Sequence, residues 1–206
     1  MLYIFDGIDL LSDNFPGSKA DFLSEERRKK VNKLRFNKSK KASAAAYLLL
    51  RIALKENYGI NEAVEFSYGE KGKPLLKDYP LIHFSLSHSA NTVACAVADF
   101  EVGVDVQQIT EVKDKVAKRV LTDDEYSKYK DSLAPDEYFC EIWTIKESFL
   151  KKTGQGITKE LREISADDIK NKKVYKGKDY FCCVCGKEQQ SIQIKFIGRE
   201  DFEQLC

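Results

Sequence analysis

No apolar run in this chain approaches the roughly 20 residues that a membrane-spanning helix needs, so no membrane partner is expected. Charge of either sign is not in excess either. Lys and Arg number 34 against 33 Asp and Glu, a formal net charge of +1, so nothing pulls the whole molecule toward nucleic acid or an anionic surface. Low-complexity tracts and short repeats are absent, which sets aside repeat arrays. The opening MLYIFDGIDLLSDN lacks a basic n-region and a cleavage site. No signal peptide is therefore expected, and the expected compartment is the cytoplasm. The six cysteines, Cys95, Cys140, Cys182, Cys183, Cys185 and Cys206, are expected to be reduced thiols there. Cys182 and Cys185 form a C-x-x-C, but no second pair or nearby histidine completes a zinc site. YFCCVC reads instead as a buried strand with cysteine as a small apolar residue.

What is present is the composition of a folded globular chain. Hydrophobic residues make up 43% and charged residues 33% of 206 positions, enough for one large domain or two small ones around a real core.

Leu2 to Phe5 reads as an opening strand. Leu23 to Phe36 reads as a helix capped by Ser24, with acids in its first turn. Arg27 to Lys41 is the most biased stretch, with nine Lys or Arg and no acid. It fits a solvated helix face with a linker, an anion site built from guanidinium and ammonium groups, or a nucleic-acid patch. For the last, only Phe36 is interleaved for base stacking. Ala42 to Tyr58 is the clearest core helix, stopped by Gly59. Val64 to Tyr68 is a short strand leading into the GEKGKP loop, Gly69 to Pro74.

Ile82 to Ser89 alternates apolar and polar residues as a half-buried strand does. His88, between Ser87 and Ser89 at its end, can donate to a phosphate or cap a neighbouring backbone group. Val93 to Ala98 and Val102 to Val106, separated by Asp99-Phe100-Glu101, read as a β-hairpin. On the second strand Gly103, Asp105 and Gln107 share one face. An aspartate in so apolar a strand is costly unless it is paired or binds a cation, Gly103 leaves room for close approach to the backbone, and Gln107 offers a neutral oxygen. Thr122 and Glu125 have the spacing of a capping box. Lys170 to Asp179 reads as a lysine-rich turn, and the strands Tyr180 to Cys185 and Ile192 to Phe196 suit a second sheet.

Phe139 to Lys151 reads as an amphipathic helix that ends at Gly154. Glu147 and Lys151, one turn apart, fit either a surface ion pair or a metal ligand with a cationic neighbour.

Taken in order, GKP (Gly72 to Pro74), SHS (Ser87 to Ser89), GVD (Gly103 to Asp105) and W-x-x-K-E-x-x-x-K (Trp143 to Lys151) resemble the surfactin-type (Sfp-type) 4'-phosphopantetheinyl transferases. The resemblance extends from about Ser24 to Ile157. It implies an α+β fold of two similar, pseudo-twofold-related halves, 1–100 and 101–206, each a long helix packed on a small, mainly antiparallel sheet. It implies transfer of the phosphopantetheine arm of coenzyme A to a serine of an apo acyl or peptidyl carrier protein, with release of adenosine 3',5'-bisphosphate. It implies a bound Mg2+, with Mn2+ the alternative, held by Asp105, Gln107 and Glu147. Gln107 stands where the family often has glutamate, which leaves one charge fewer on the ion. Glu147 is implied to take the serine proton and Lys151 to stabilise the leaving phosphate, so that Asp105, Glu147 and Lys151 form the catalytic set. Arg27 and Lys30 are implied at the 3'-phosphate, Lys73 and Pro74 near the adenine, Ser87 and His88 at phosphates, and Lys146 at a nearby cationic position. An arginine expected before Ser43 is replaced by Ala42, with Lys41 as the substitute. A monomer with no nucleic-acid partner is implied as well.

Overall fold

The computed structural model describes residues 1–156, 161–187 and 192–204. Ile157, at the edge of the resemblance, and Cys206 lie outside the described residues.

In chain order the strand β1 (Leu2–Asp6) is followed by the helices α1 (Phe15–Ser18), α2 (Glu25–Lys33) and α3 (Asn37–Tyr58). Then come β2 (Phe66–Tyr68), β3 (Pro74–Leu76), β4 (His83–Ser89), β5 (Thr92–Ala98) and β6 (Gly103–Gln108). The second half supplies α4 (Asp114–Val120), α5 (Asp123–Asp131), α6 (Pro135–Thr153), β7 (Lys172–Lys176), β8 (Tyr180–Cys185), β9 (Ile194–Phe196) and α7 (Arg199–Glu203). A four-stranded sheet has the order β4-β5-β1-β9, antiparallel except for the β1–β9 pair. A three-stranded antiparallel sheet has the order β6-β8-β7. The fold is α+β, with a long helix on a mainly antiparallel sheet in each half.

Alternation along the strands explains the layering. In β1, Tyr3 and Phe5 face α3 and its alanine- and leucine-rich side, whereas Leu2 and Ile4 face the other way. There they meet Ala94 and Ala96 of β5, Val104 and Val106 of β6, and Cys182 and Val184 of β8. Cys183 and Cys185 point to the opposite face and pack with α6 residues Phe139, Ile142 and Leu150. The order of layers is therefore α3, first sheet, second sheet, α6. Both sheets are covered on both faces, which is why VACAVA and YFCCVC are continuous apolar runs rather than alternating ones. The cysteines of β8 are buried thiols in a strand, as the sequence implies.

Four expectations need correction. The Val93–Ala98 and Val102–Val106 strands form no hairpin: β5 lies between β4 and β1, and β6 pairs with β8. The strand ending at Phe196 joins β1 of the first sheet, not the second. Lys172 to Lys176 is an edge strand rather than a turn; lysines on an exposed edge discourage further pairing. The core helix begins at Asn37, so Lys38 to Lys41 lie on its first turns instead of in a linker. Its end at Gly59, with φ 69°, and the end of α6 at Gly154, with φ 65°, are left-handed caps that glycine adopts without strain.

Among the described residues no helix is long and apolar enough to cross a membrane.

Candidate active site

The two sheets meet edge to edge where β4 and β6 run side by side. The amides of Val104, Val106 and Gln108 donate to the hydroxyls of Ser85, Ser87 and Ser89 at 3.0, 3.2 and 3.0 Å. A serine at every second residue of β4 takes the place of a backbone carbonyl, so the seam is laddered by side chains. On the other side of β6, α6 rests directly on the backbone. A Cβ on Gly103 would overlap the Ser148 carbonyl and the Lys152 amide, so the space foreseen at this glycine is filled by the helix itself. The Ser148 hydroxyl reaches the sulfurs of Cys183 and Cys185 at 3.2 and 3.0 Å. This seating holds the Glu147–Lys151 turn of α6 over Asp105.

Asp105 is buried, 6% exposed. Its Oδ1 accepts from Lys151 Nζ at 2.6 Å and from Ser87 Oγ at 2.8 Å, and Lys151 Nζ also donates to Ser87 Oγ at 2.9 Å. Lys151 thus pairs with Asp105 of β6 and not with Glu147 on its own helix. Among the described residues, two buried carboxylate oxygens, Asp105 Oδ2 and Glu147 Oε1, have no hydrogen-bond partner. Both carboxyls are pushed above their ordinary values. For Asp105 the cause is burial, opposed by Lys151 and Ser87; for Glu147 it is burial and then the charge of Asp105, opposed by Lys151.

Cations gather on the neighbouring surface. The Arg27 guanidinium lies over the rings of Tyr47 and Phe66, 5.4 and 5.1 Å from their centroids. Lys30 is beside it, and Arg27, Lys30 and Lys151 all act on the His88 ring. A cleft of about 230 Å³ between the halves is lined by Lys73, Pro74, Phe84 and Leu86 from one and by Glu147, Leu150 and Lys151 from the other. Within it Lys73 Nζ donates to the Lys152 carbonyl at 2.5 Å, tying the GKP loop to the last turn of α6.

Two of the expected residues, Lys146 and Lys41, are not where the motif suggests. Lys146 does not reach the cleft. It is wholly buried in the second half, bonded to Glu125 Oε2 at 2.5 Å and to the carbonyls of Val120 and Leu161 at 2.8 and 3.1 Å. Glu125 is indeed the N3 member of the Thr122 capping box, and it also accepts from the Ala166 amide at 2.8 Å. The acid of a capping box gave no sign of a second partner 21 residues away. Lys41 is turned into the first half, where it donates to the Leu11 carbonyl at 3.0 Å and approaches Asp13, so it does not stand in for the missing arginine. Gln107 donates from its amide nitrogen to the Gln108 carbonyl and lines a second cavity with Phe139, Cys140 and Trp143.

The carboxylates of Asp105 and Glu147 fit a divalent ion. Among the described residues no three His, Cys, Asp or Glu side chains cluster as a metal site. Two orphaned carboxylate oxygens that repel each other are, however, what a hard, oxygen-seeking cation would satisfy. Magnesium keeps several waters and needs few protein ligands; Asp105 and Glu147 would hold it, with Gln107 one alternating position along β6 as the third candidate.

His88 gives the site a pH dependence. Although His88 is exposed, desolvation and then the charges of Lys151, Lys30 and Arg27 push its ring below the ordinary value and favour the neutral form. An anion settling among these cations favours the protonated ring, and binding takes up a proton. Affinity for inorganic pyrophosphate is therefore expected to fall more steeply with rising pH in the wild type than in His88→Gln, which calorimetry across about pH 6 to 8 can measure.

Fold and site together define an α+β protein in which Asp105, Glu147 and Lys151 gather beside a cleft, with Arg27, Lys30 and His88 close to them. Residues 101–200 match the family model described as the 4'-phosphopantetheinyl transferase superfamily, and residues 17–100 match a model described as 4'-phosphopantetheinyl transferase, N-terminal. The chain is 33% identical over 149 residues to the 4'-phosphopantetheinyl transferase ffp of Bacillus subtilis and 31% identical over 147 residues to 4'-phosphopantetheinyl transferase Sfp of Bacillus subtilis (strain 168). It is 34% identical over 156 residues to 4'-phosphopantetheinyl transferase HetI of Nostoc sp.. Each match takes in 70% of this chain, and 66%, 66% and 65% of the respective relatives, a little under two thirds of their length. The chain belongs to the 4'-phosphopantetheinyl transferase superfamily, within it to the Sfp type.

Proposed function

We propose that this protein is a 4'-phosphopantetheinyl transferase that moves the phosphopantetheine arm of coenzyme A onto a serine of an apo acyl or peptidyl carrier protein. The observation that carries the reading is the pair of buried, unpartnered oxygens, Asp105 Oδ2 and Glu147 Oε1, beside Lys151 at the edge of the basic face. Relatives named as 4'-phosphopantetheinyl transferases support the same reaction class.

In the proposed reaction the serine oxygen attacks the β-phosphorus of coenzyme A. The bond from that phosphorus to the bridging oxygen breaks, and adenosine 3',5'-bisphosphate leaves with the bridging oxygen. The serine proton passes to Glu147, whose raised proton affinity suits a base that must hold it. Lys151 offsets charge developing on the leaving phosphate. A divalent ion bound by Asp105 and Glu147, magnesium or manganese, would neutralise charge on the pyrophosphate. Arg27, Lys30 and His88 form the phosphate-facing group, and Lys73 and Pro74 bound the cleft where the adenine would lie. We assign residues 1–100 mainly to the coenzyme and residues 101–206 mainly to the ion and the chemistry, in a cytoplasmic monomer with no nucleic-acid or membrane partner.

The test is the intact mass of a panel of apo carrier proteins incubated with coenzyme A, Mg2+ and this protein. One phosphopantetheine arm should be gained by at least one carrier. Folded protein that modifies none of a broad panel sinks the proposal.

A further inference from the structure

The SHS motif suggests that Ser87 binds phosphate, but its hydrogen-bonding capacity is already used. A hydroxyl has one hydrogen and two lone pairs. The Val106 amide at 3.2 Å and the Lys151 ammonium at 2.9 Å can only donate, so they take both lone pairs. The single hydrogen is left for Asp105 Oδ1 at 2.8 Å. Ser87 is buried, 7% exposed, and nothing remains on its oxygen for a ligand. Meanwhile Oδ1, engaged by Ser87 and Lys151, is held in one orientation, and Oδ2 of the same carboxylate is buried and free.

We infer that Ser87 is a positioning residue: it fixes the Asp105 carboxylate so that Oδ2 faces the cation, and it makes no contact with phosphate. The inference rests on the proposed reading of Asp105 as a metal ligand. It also separates the three serines of the seam. Ser85, Ser87 and Ser89 each accept from one amide of β6, yet only Ser87 also bonds a carboxylate. Ser89 lies in the ladder at the Gln108 amide and supplies the control, since losing its hydroxyl weakens the seam in the same way without touching Asp105.

The experiment measures two affinities in Ser87→Ala, Ser87→Thr and Ser89→Ala. The first is for Mn2+, by electron paramagnetic resonance, in the presence of coenzyme A. The second is for adenosine 3',5'-bisphosphate in EDTA. Partners that orient a ligand typically change metal affinity by about 10- to 100-fold when removed. Ser87→Ala should therefore bind Mn2+ at least about tenfold more weakly, with nucleotide affinity in EDTA changed by less than about twofold. Ser87→Thr, which keeps the hydroxyl, should recover most of the metal affinity, and Ser89→Ala should bind Mn2+ as the wild type does even where its melting temperature falls. Unchanged metal affinity in Ser87→Ala overturns the inference. So does a loss of nucleotide affinity in EDTA, or an equal loss of metal affinity in Ser89→Ala. Asp105→Asn keeps the underlying reading separate: if that variant binds Mn2+ like the wild type, the metal-site assignment fails, whatever Ser87 does.

Discussion

Asp105→Asn is expected to reduce phosphopantetheine transfer by roughly a thousandfold while the protein melts at the same or a higher temperature than the wild type. The substitution is nearly isosteric, and the amide oxygen can still accept from Ser87 and Lys151. What it removes is the anionic oxygen proposed for the ion. Loss of metal-assisted charge stabilisation amounts to several kcal/mol of barrier, and each 1.4 kcal/mol or so is tenfold in rate. The stability half follows from proton linkage. The carboxyl of Asp105 is raised above its unfolded value of 3.8 by burial, so the folded state holds the proton more tightly than the unfolded one. Stability attributable to this group is present at low pH and is lost as pH rises from the ordinary aspartate range through the raised value. Above the raised value the ionised carboxylate weighs against folding, and an uncharged amide removes that cost. A site that is destabilising yet required is the usual signature of function placed above stability. A rate assay paired with a thermal melt checks both halves; activity lost together with a lower melting temperature would reduce Asp105 to a folding residue.

Lys146→Ala is expected to cost about 3 to 5 kcal/mol of stability, read as a lower urea midpoint. Lys146 is 0% exposed, and its ammonium is bonded to Glu125 and two carbonyls. Its removal strands the Glu125 carboxylate, itself 3% exposed, without a counter-charge. Because a domain of this size is stable by only about 5 to 15 kcal/mol, such a loss takes away a fifth or more of the total. The position also decides between two meanings of the K-E pair in the motif. A phosphate-binding lysine would leave folding intact and weaken coenzyme A; the buried ion pair predicts the reverse, because Lys146 ties α6 to the Glu125 carboxylate of the α5 capping box.

Much of the architecture was legible in the chain. Alanine and leucine at helical spacing marked the core helix before Gly59, and the alternation in IHFSLSHS marked β4. The caps at Ser24 and Thr122 lie where short polar residues precede acids. Local pattern failed where tertiary neighbours decide. Two apolar strands three residues apart look like a hairpin, yet the edge of β6 is taken by the serines of β4 and its other edge by β8. Within the site, Asp105 stood out because a lone carboxylate in a valine strand needs a partner, and it has one in Lys151. Helical spacing suggested that Lys151 would pair with Glu147. The seam brings Asp105 closer, and only a structure reveals that one turn of helix lies over a strand 42 residues earlier in the chain. Lys146 and Lys41 misled for the same reason: both are lysines in basic or motif-rich segments whose ammonium groups turn inward to carbonyls.

The central claim is that Asp105 and Glu147 share one divalent ion at the cleft. The most direct measurement is anomalous X-ray scattering from crystals grown with coenzyme A and Mn2+. A single manganese peak bonded to Asp105 Oδ2 and Glu147 Oε1 is the predicted result. Coenzyme A bound in the cleft with no manganese at these two oxygens, or manganese held elsewhere, would contradict it.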